Sequence, residues 1–271
     1  MISAKPINSR NAIEATGFLV GFNRNFQPNE FERLLGLEAE MKTELPVFSK
    51  IADMEVEVQD GKVTMNSNNF NGVALHKTGV QPGTVAWVLQ VTGNTIQVTC
   101  GDYHDWDEEW PKAKSYISTV LKLLRAATLN VVAVGCQVID KFVYSEDPRP
   151  YSINDVFLDE SELLTKQVKN SGELWHIHQG WFDLPSPDAG SKLLSHLNLS
   201  SARLNNNKLT ATIDHSMQLI YEQPIAVIDM FGAQDEKSKI DSIFEKLHDT
   251  NKSVLKRLLN VQKLREIGLP T

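Results

Sequence analysis

Two strand-like runs of apolar and small residues begin two similar successions of elements along the chain. Ala12–Phe22 and Val131–Tyr144 are both typical of buried strands. Each run leads past a proline into a helix-like stretch, then into several strands, and then into an amphipathic helix. This order predicts an α+β protein of two tandem β-α-β-β-β-α units, with antiparallel sheets covered by helices. The predicted halves are residues 1–127 and 128–271.

Within the first half, the pattern predicts one helix and two hairpins. A helix is expected to begin at Pro28, a residue suited to a first helical turn, and to stop at Pro46. Asp60-Gly61 predicts the turn of a first hairpin, and the polar stretch Asn66–Asn71 predicts a loop.

The second hairpin has the clearest local pattern in the chain. Apolar residues alternate with polar ones through Thr84–Cys100, on either side of Gly93-Asn94. A two-residue turn of this kind fixes the register of both strands. An amphipathic helix is then expected from Asp107 to Leu124.

The second half predicts a helix, further strands and a long terminal helix. The first of these helices is expected at Ser152–Val168, and long strands at Lys192–Leu204 and Leu209–Tyr221. The last helix is expected from Asp235 to Glu266, well beyond the usual helix length.

Apolar residues recur every seven positions along this terminal helix, at Ile240, Leu247, Val254 and Val261. A heptad of this kind is compatible with a coiled coil. Packing of the helix within the chain's own core is the favoured interpretation, because Asn251 and Arg265 interrupt the second apolar seam.

Charge and cysteine content narrow the class of protein. The net charge is −7, which disfavours nucleic-acid binding because Lys and Arg contacts to phosphate dominate that affinity. No apolar run reaches the length of a membrane helix, and the first residues do not resemble a signal peptide. The two cysteines, Cys100 and Cys136, fall in strand-like apolar phase and are expected in the core. A cytoplasmic protein is therefore expected, without cofactor or membrane.

The acidic residues Asp102, Asp105, Asp107 and Glu108 allow two interpretations. A carboxylate cluster could hold a metal ion, but calcium loops need spaced ligands and a glycine in mid-loop. The favoured interpretation is a helix N-terminus with Asp105 or Asp107 as its cap.

The most specific candidate for chemistry is Trp175-His176-Ile177-His178. Residues two apart on a strand share a face, so His176 and His178 could both bind one metal ion. The third ligand would come from the set Asp183, His196, His215 and Glu173. The competing and favoured interpretation buries Trp175 and Ile177 and turns both histidines to a polar surface.

No catalytic motif supports an enzyme. His215 lies in phase with a buried apolar stripe, which is typical of a hydrogen-bonded core histidine. The sequence lacks the GxSxG, phosphate-loop and GxGxxG patterns.

Five stretches of the chain resemble a sporadically distributed bacterial family of about this length, which is defined by sequence models and has no agreed function. The resemblance extends from Asn11 to Leu269, and its most specific parts are the tryptophan-containing hairpin and the stretch with Ile139, Asp140 and Phe142. The five stretches are AIEATGFLVGF, WVLQVTGNTIQVTCGDYHDW, VGCQVIDKF, LWHIHQGWF and IFEKLHDTNKSVLKRL. The resemblance implies a bacterial cytoplasmic protein from mobile or defence-associated loci, and it supplies no catalytic residues.

The sequence thus predicts a non-catalytic interaction or regulatory accessory protein that works through a protein partner or as a homo-oligomer. The alternative from another class is a metal-dependent hydrolase centred on His176 and His178.

Overall fold

A computed structural model describes residues 4–8, 10–59, 62–81, 83–144, 151–184, 186–204, 208–232 and 238–270, with side chains described outside 53–69 and 127. Helices and antiparallel strands are both abundant, so the α+β class is confirmed. The strands are β1 (Lys5–Pro6), β2 (Ile13–Phe22), β3 (Val47–Gln59), β4 (Lys62–Thr78), β5 (Val85–Thr92), β6 (Thr95–Cys100), β7 (Asn130–Val143), β8 (Trp175–Asp183), β9 (Ser191–Arg203) and β10 (Leu209–Ala226). The α-helices are α1 (Pro28–Leu34), α2 (Leu37–Glu40), α3 (Trp106–Leu124), α4 (Lys166–Lys169), α5 (Val227–Phe231), α6 (Lys239–Leu258) and α7 (Val261–Glu266).

The chain divides into two compact units, each drawn from separate parts of the sequence. Unit 1 comprises Met1–Thr16, Gly135–Ile220 and Ile240–Thr271, and unit 2 comprises Gly17–Val134 and Tyr221–Lys239. Both predicted halves contribute residues to each unit, because β2, β7 and β10 each begin in one unit and end in the other. The predicted boundary after residue 127 stays a prediction.

In unit 2 the strand order is β3-β4-β5-β6-β2-β7. The predicted hairpin is confirmed, with β5 paired to β6 from Trp87 opposite Cys100 to Thr92 opposite Thr95. Gly93 holds the turn at a φ of +56°, a left-handed conformation that glycine adopts without a steric penalty. Leu89, Val91, Ile96 and Val98 are fully buried, so the alternating pattern does mark the inner face of this hairpin.

Helix α3 covers the core of unit 2 and begins as the acidic pattern predicts. The Asp105 side chain accepts a hydrogen bond from the backbone N–H of Glu108, which confirms the capping interpretation. The apolar face of α3 is buried, and Trp110 packs against Phe18 with ring centroids 5.6 Å apart.

Three local predictions for unit 2 have different outcomes. The helix expected between Pro28 and Pro46 is divided into α1 and α2, which meet at Leu35-Gly36. The loop expected at Asn66–Asn71 is wrong, because that backbone lies within β4 and pairs with β3. The predicted turn at Asp60-Gly61 lies outside the described residues.

In unit 1 the strand order is β7-β10-β9-β8, with β1 paired to β7. Strand β9 presents alternate residues to an apolar core that it shares with β10 and α6. Leu197, Ile213 and Leu258 are fully buried in this core. The strands therefore have one apolar inner face and one outer face.

The helix expected at Ser152–Val168 is wrong. A single 3-10 turn (Ile153–Asp155) and the short helix α4 are separated by irregular chain. Residues 156–158 instead exchange backbone hydrogen bonds with the end of α6: Leu158 N–H donates to Leu258 O at 2.8 Å, and Asn260 N–H donates to Val156 O at 3.1 Å. These pairings replace the local hydrogen bonds of a helix.

The terminal helix is also divided. Its described part begins at Lys239, and a break at Leu259-Asn260 separates α6 from α7. Ile240, Leu247 and Val254 are buried within the single chain, which supports the core interpretation of the heptad, whereas Val261 is half exposed. Among the described residues, no helix is long and apolar enough to cross a membrane.

Candidate functional site

Strand β8 carries both histidines that the sequence marks as candidates. Burial alternates along the strand, so His176 and His178 are exposed on the outer face while Trp175 and Ile177 turn towards the core. Trp175 donates from its indole Nε1 to Tyr151 Oη at 2.7 Å and packs edge-on against Phe157. The inner side chains thus fix β8 to the core and leave the imidazoles on the surface.

A row of hydrogen bonds crosses the outer face of unit 1, from β7 to β8. Asp214 accepts hydrogen bonds from Gln137 Nε2 at 2.7 Å and from Asn198 Nδ2 at 3.3 Å. Because a carboxylate can only accept, Asn198 must turn its oxygen towards His178. The His178 Nδ1 therefore carries a hydrogen and donates it to Asn198 Oδ1.

The imidazole that approaches His178 comes from the neighbouring strand. His196 lies on β9 directly opposite Gly180, and its ring centroid is 6.1 Å from that of His178. A Cβ atom at Gly180 would lie 3.2 Å from His196 Nδ1, so the glycine leaves room for the His196 ring over β8. His178 and His196 are therefore neighbours, and His196 is one of the residues that the sequence offered as a third ligand.

The other predicted metal ligands are engaged elsewhere. Asp183 accepts hydrogen bonds from Trp181 Nε1 at 2.8 Å and from Ser195 Oγ at 2.5 Å. Glu173 forms a two-pronged ion pair with Arg203, at 2.9 and 2.8 Å. Within the part of the chain that the structure describes, no group of three or more His, Cys, Asp or Glu side chains is placed to hold a metal ion. A site built on His176 and His178 stays a prediction.

His215 lies on the inner side of the same sheet and is fully buried, as the sequence predicts. Its Nδ1 is 2.9 Å from Asn251 Oδ1 on α6, and its ring stacks on Trp181 at 6.3 Å between centroids. Burial lowers the pKa of His215, so the ring is neutral around pH 7. Asn251, which interrupts the apolar seam of α6, therefore serves as the partner of a buried histidine.

The outermost position of β8 in unit 1 is the feature that sequence reasoning missed. Strand β8 is the last strand in the order, and among the described residues no strand pairs with its other edge. It pairs with β9 over nine consecutive residues without a register shift. Natural edge strands are usually shortened, bulged, or protected by Lys and Pro, and β8 has none of these features.

Large apolar side chains are exposed along and beside this edge. Leu174 is 61% exposed, Phe182 56% and Leu184 89%. They precede, belong to and follow β8, respectively. We call β8 with these three residues the β8 edge. Unpaired backbone groups beside exposed apolar side chains are what an added strand from another chain requires.

Unit 2 contains a cleft of about 300 Å³ beside the start of α3. Its most buried polar group is Glu109, whose pKa is raised because of burial and whose Oε2 lies 3.2 Å from Cys100 Sγ. Burial likewise raises the pKa of the Cys100 thiol, which is therefore protonated and inert. Lys112 lies over the Trp87 ring in the cleft, with its Nζ 5.2 Å from the ring centroid. The aromatic surface that would bind a ligand is therefore already in contact with a lysine of the chain.

Comparison with protein-family models gave no match, and comparison with curated proteins gave none either. The family resemblance accordingly stays a prediction, and the β8 edge is the candidate site on geometric grounds alone.

Proposed function

We propose that the protein is a non-catalytic interaction protein, a regulatory or accessory subunit that binds a protein partner through the β8 edge. The observation that carries this proposal is a nine-residue edge strand without Lys, Pro or a register shift, flanked by exposed Leu174 and Leu184. An extended segment of the partner adds to it as a further strand. Main-chain hydrogen bonds would supply affinity, and alternate side chains would supply specificity.

The outer surface next to the edge supports binding without catalysis. His178 is held by Asn198, and Asn198 is held by Asp214, so these side chains form a fixed polar surface. The buried Cys100 and Cys136 are protonated thiols with raised pKa values, so neither supplies a thiolate nucleophile.

We further propose that the two predicted halves of the chain arose by duplication of a β-α-β-β-β-α plan. In both, the first strand neighbours the last one: β2 lies beside β6, and β7 lies beside β10. The second copy follows this plan from β7 to β10, whereas the first copy has one more strand between its first helix and its last strand. Because of this difference, the outermost strand of one copy would present a different surface to a partner from the outermost strand of the other copy.

The proposal is tested by replacing apolar side chains of the β8 edge with lysine. The Phe182→Lys/Leu184→Lys variant should fold normally, because both side chains are more than half exposed. Lysine at an edge opposes addition of a strand, since the ammonium group would have to lose its hydration. We expect partner recovery in quantitative affinity purification at native expression to fall by at least about tenfold.

The matched control is Val80→Lys, which changes a residue that is 94% exposed in unit 2. Recovery of the same partners should be unaltered in this control. Equal recovery of every partner by the wild type and by the edge variant would contradict the proposal. Thermal unfolding of all three proteins verifies that folding is unchanged.

A further inference from the structure

The β8 edge is self-complementary about its central residue. Gln179 is the middle of Trp175–Asp183, and Leu174 and Leu184 lie five positions before and after it. We infer that the first occupant of this edge is β8 of a second copy of the chain, paired antiparallel about a two-fold axis at Gln179. This inference rests on the proposed use of the β8 edge.

The register follows from the geometry of the strand. In a symmetric antiparallel pair, outer side chains lie opposite outer side chains. The two-fold axis therefore passes between one residue and the same residue of the second copy. An axis at Gln179 pairs all nine residues of β8, whereas any other position leaves residues unpaired. The resulting outer pairs are Leu174 with Leu184, His176 with Phe182, and His178 with Gly180. The inner pairs are Trp175 with Asp183, Ile177 with Trp181, and Gln179 with itself.

This register covers the three exposed apolar side chains of the β8 edge. Leu184, which is 89% exposed, meets Leu174 of the second copy, which is 61% exposed. Phe182 meets the imidazole of His176. Two-fold symmetry repeats each contact, so four leucines and two phenylalanines leave water together.

Side-chain size is also complementary in this register. Opposite side chains in an antiparallel pair have Cβ atoms about 5 Å apart, so a large side chain fits best opposite a small one or in an aromatic pair such as Phe182 with His176. Gly180 faces His178 of the second copy.

The charge pattern favours a second copy over a charged peptide. Strand β8 contains one acidic residue, Asp183, and no Lys or Arg. In the symmetric register Asp183 faces Trp175, so no like charges are opposed. An acidic or basic peptide would find no row of opposite charges along this strand. A single strand pair is a small interface, so the dimer is expected to be reversible.

The test is sedimentation equilibrium of the full-length protein over a range of concentrations. The wild type should be in monomer–dimer equilibrium. Leu184→Lys should raise the dimer dissociation constant by at least about tenfold, because two leucine contacts are lost and two ammonium groups lose hydration.

A charge pair tests the register itself. In Leu174→Glu/Leu184→Lys, each glutamate faces a lysine of the second copy, and dimerisation should recover from the level of Leu184→Lys. In Leu174→Lys/Leu184→Lys, two lysines face each other at both ends, and the protein should be monomeric. Val80→Lys in unit 2 is the control and should dimerise as the wild type does.

A monomeric wild type at all concentrations would overturn the inference. So would a dimer that persists in the lysine-lysine variant, because that dimer would use another surface. These failures are separate from failure of the proposed function: a monomeric chain that loses its partner only in the β8 edge variants keeps the proposed function and refutes self-pairing.

Discussion

Asp140 on β7 has a buried carboxyl group that destabilises the fold when it is ionised. It is 2% exposed, and its Oδ2 has no hydrogen-bond partner among the described residues. Burial raises its pKa to about 7 from an ordinary value of 3.8. The residue lies in the stretch with Ile139 and Phe142 that is most specific in the family resemblance. Its retention in an apolar strand therefore weakens the fold above acidic pH.

The pH dependence of stability should reveal this group. Between pH 4 and pH 7 the unfolded chain loses the Asp140 proton while the folded chain keeps it, so the folded state binds more protons. The free energy of unfolding therefore falls through this window as pH rises, and the contribution levels off above about 7. Asp140→Asn should raise the free energy of unfolding at pH 8 by about 1 to 4 kcal/mol and change little near pH 3, as measured by urea unfolding.

The exposed carboxylate Asp249 on α6 provides the control. Because Asp249 also acts on the pKa of its neighbour His248, Asp249→Asn should change the pH dependence of unfolding only slightly and should not raise the free energy of unfolding at pH 8. An Asp140→Asn variant with an unchanged pH profile would show that Asp140 is solvated or paired in the folded protein.

The break between α6 and α7 shows how one element is ended by contact with a distant segment. Asn260 Oδ1 accepts a hydrogen bond from Lys263 N–H at 2.9 Å and so caps α7. Its Nδ2 donates to Asn154 O at 2.8 Å. One side chain therefore both starts a helix and holds the irregular segment that precedes α4.

Asn260→Ala removes both hydrogen bonds at once. We expect the free energy of unfolding to fall by about 1 to 2 kcal/mol, the usual cost of a lost N-cap with one further hydrogen bond. Gln262→Ala, a change on the exposed face of the same helix, should alter it by less than about 0.5 kcal/mol. Chemical unfolding of the two variants measures the difference, and equal losses would contradict a capping role for Asn260.

Elements fixed by local pattern could be predicted from sequence, and elements fixed by distant contacts could not. The β5–β6 hairpin is specified by alternation and by Gly93-Asn94, and the start of α3 by its acidic cap. The segment at Ser152–Val168 has helical periodicity, yet its backbone pairs with residues about a hundred positions away. No local signal reports that pairing.

The same distinction applies to the candidate site: its local features could be predicted from the sequence, and its long-range features could not. Strand periodicity correctly turns His176 and His178 away from the core. The approach of His196 depends on the register between β8 and β9, and the exposure of the edge depends on the order of the strands. Both are long-range properties of unit 1, so the sequence pattern could place the histidines on a strand but could not show that His196 lies beside His178.

At the scale of the whole molecule, a free strand edge determines how many chains can assemble through it. Pairing about a two-fold axis uses the β8 edge of both copies, so this contact closes on itself and does not extend into a fibre. The proposed partner needs the same edge. Self-pairing and partner binding are therefore mutually exclusive at β8.

Because of this exclusivity, self-pairing competes with partner binding at the β8 edge. The total concentration of the protein determines which of the two prevails. An edge accepts one strand at a time, so a rising concentration of the chain would withdraw its own edges from the partner. The apparent affinity for a partner recovered as above should weaken as total protein concentration rises, and it should stay constant in a variant that keeps partner binding but cannot self-pair. Titration with the partner at several fixed concentrations of the chain measures this affinity. A concentration-independent affinity would mean that self-pairing and partner binding use different surfaces. With competition at the β8 edge, the partner would be released when the chain is in excess over it.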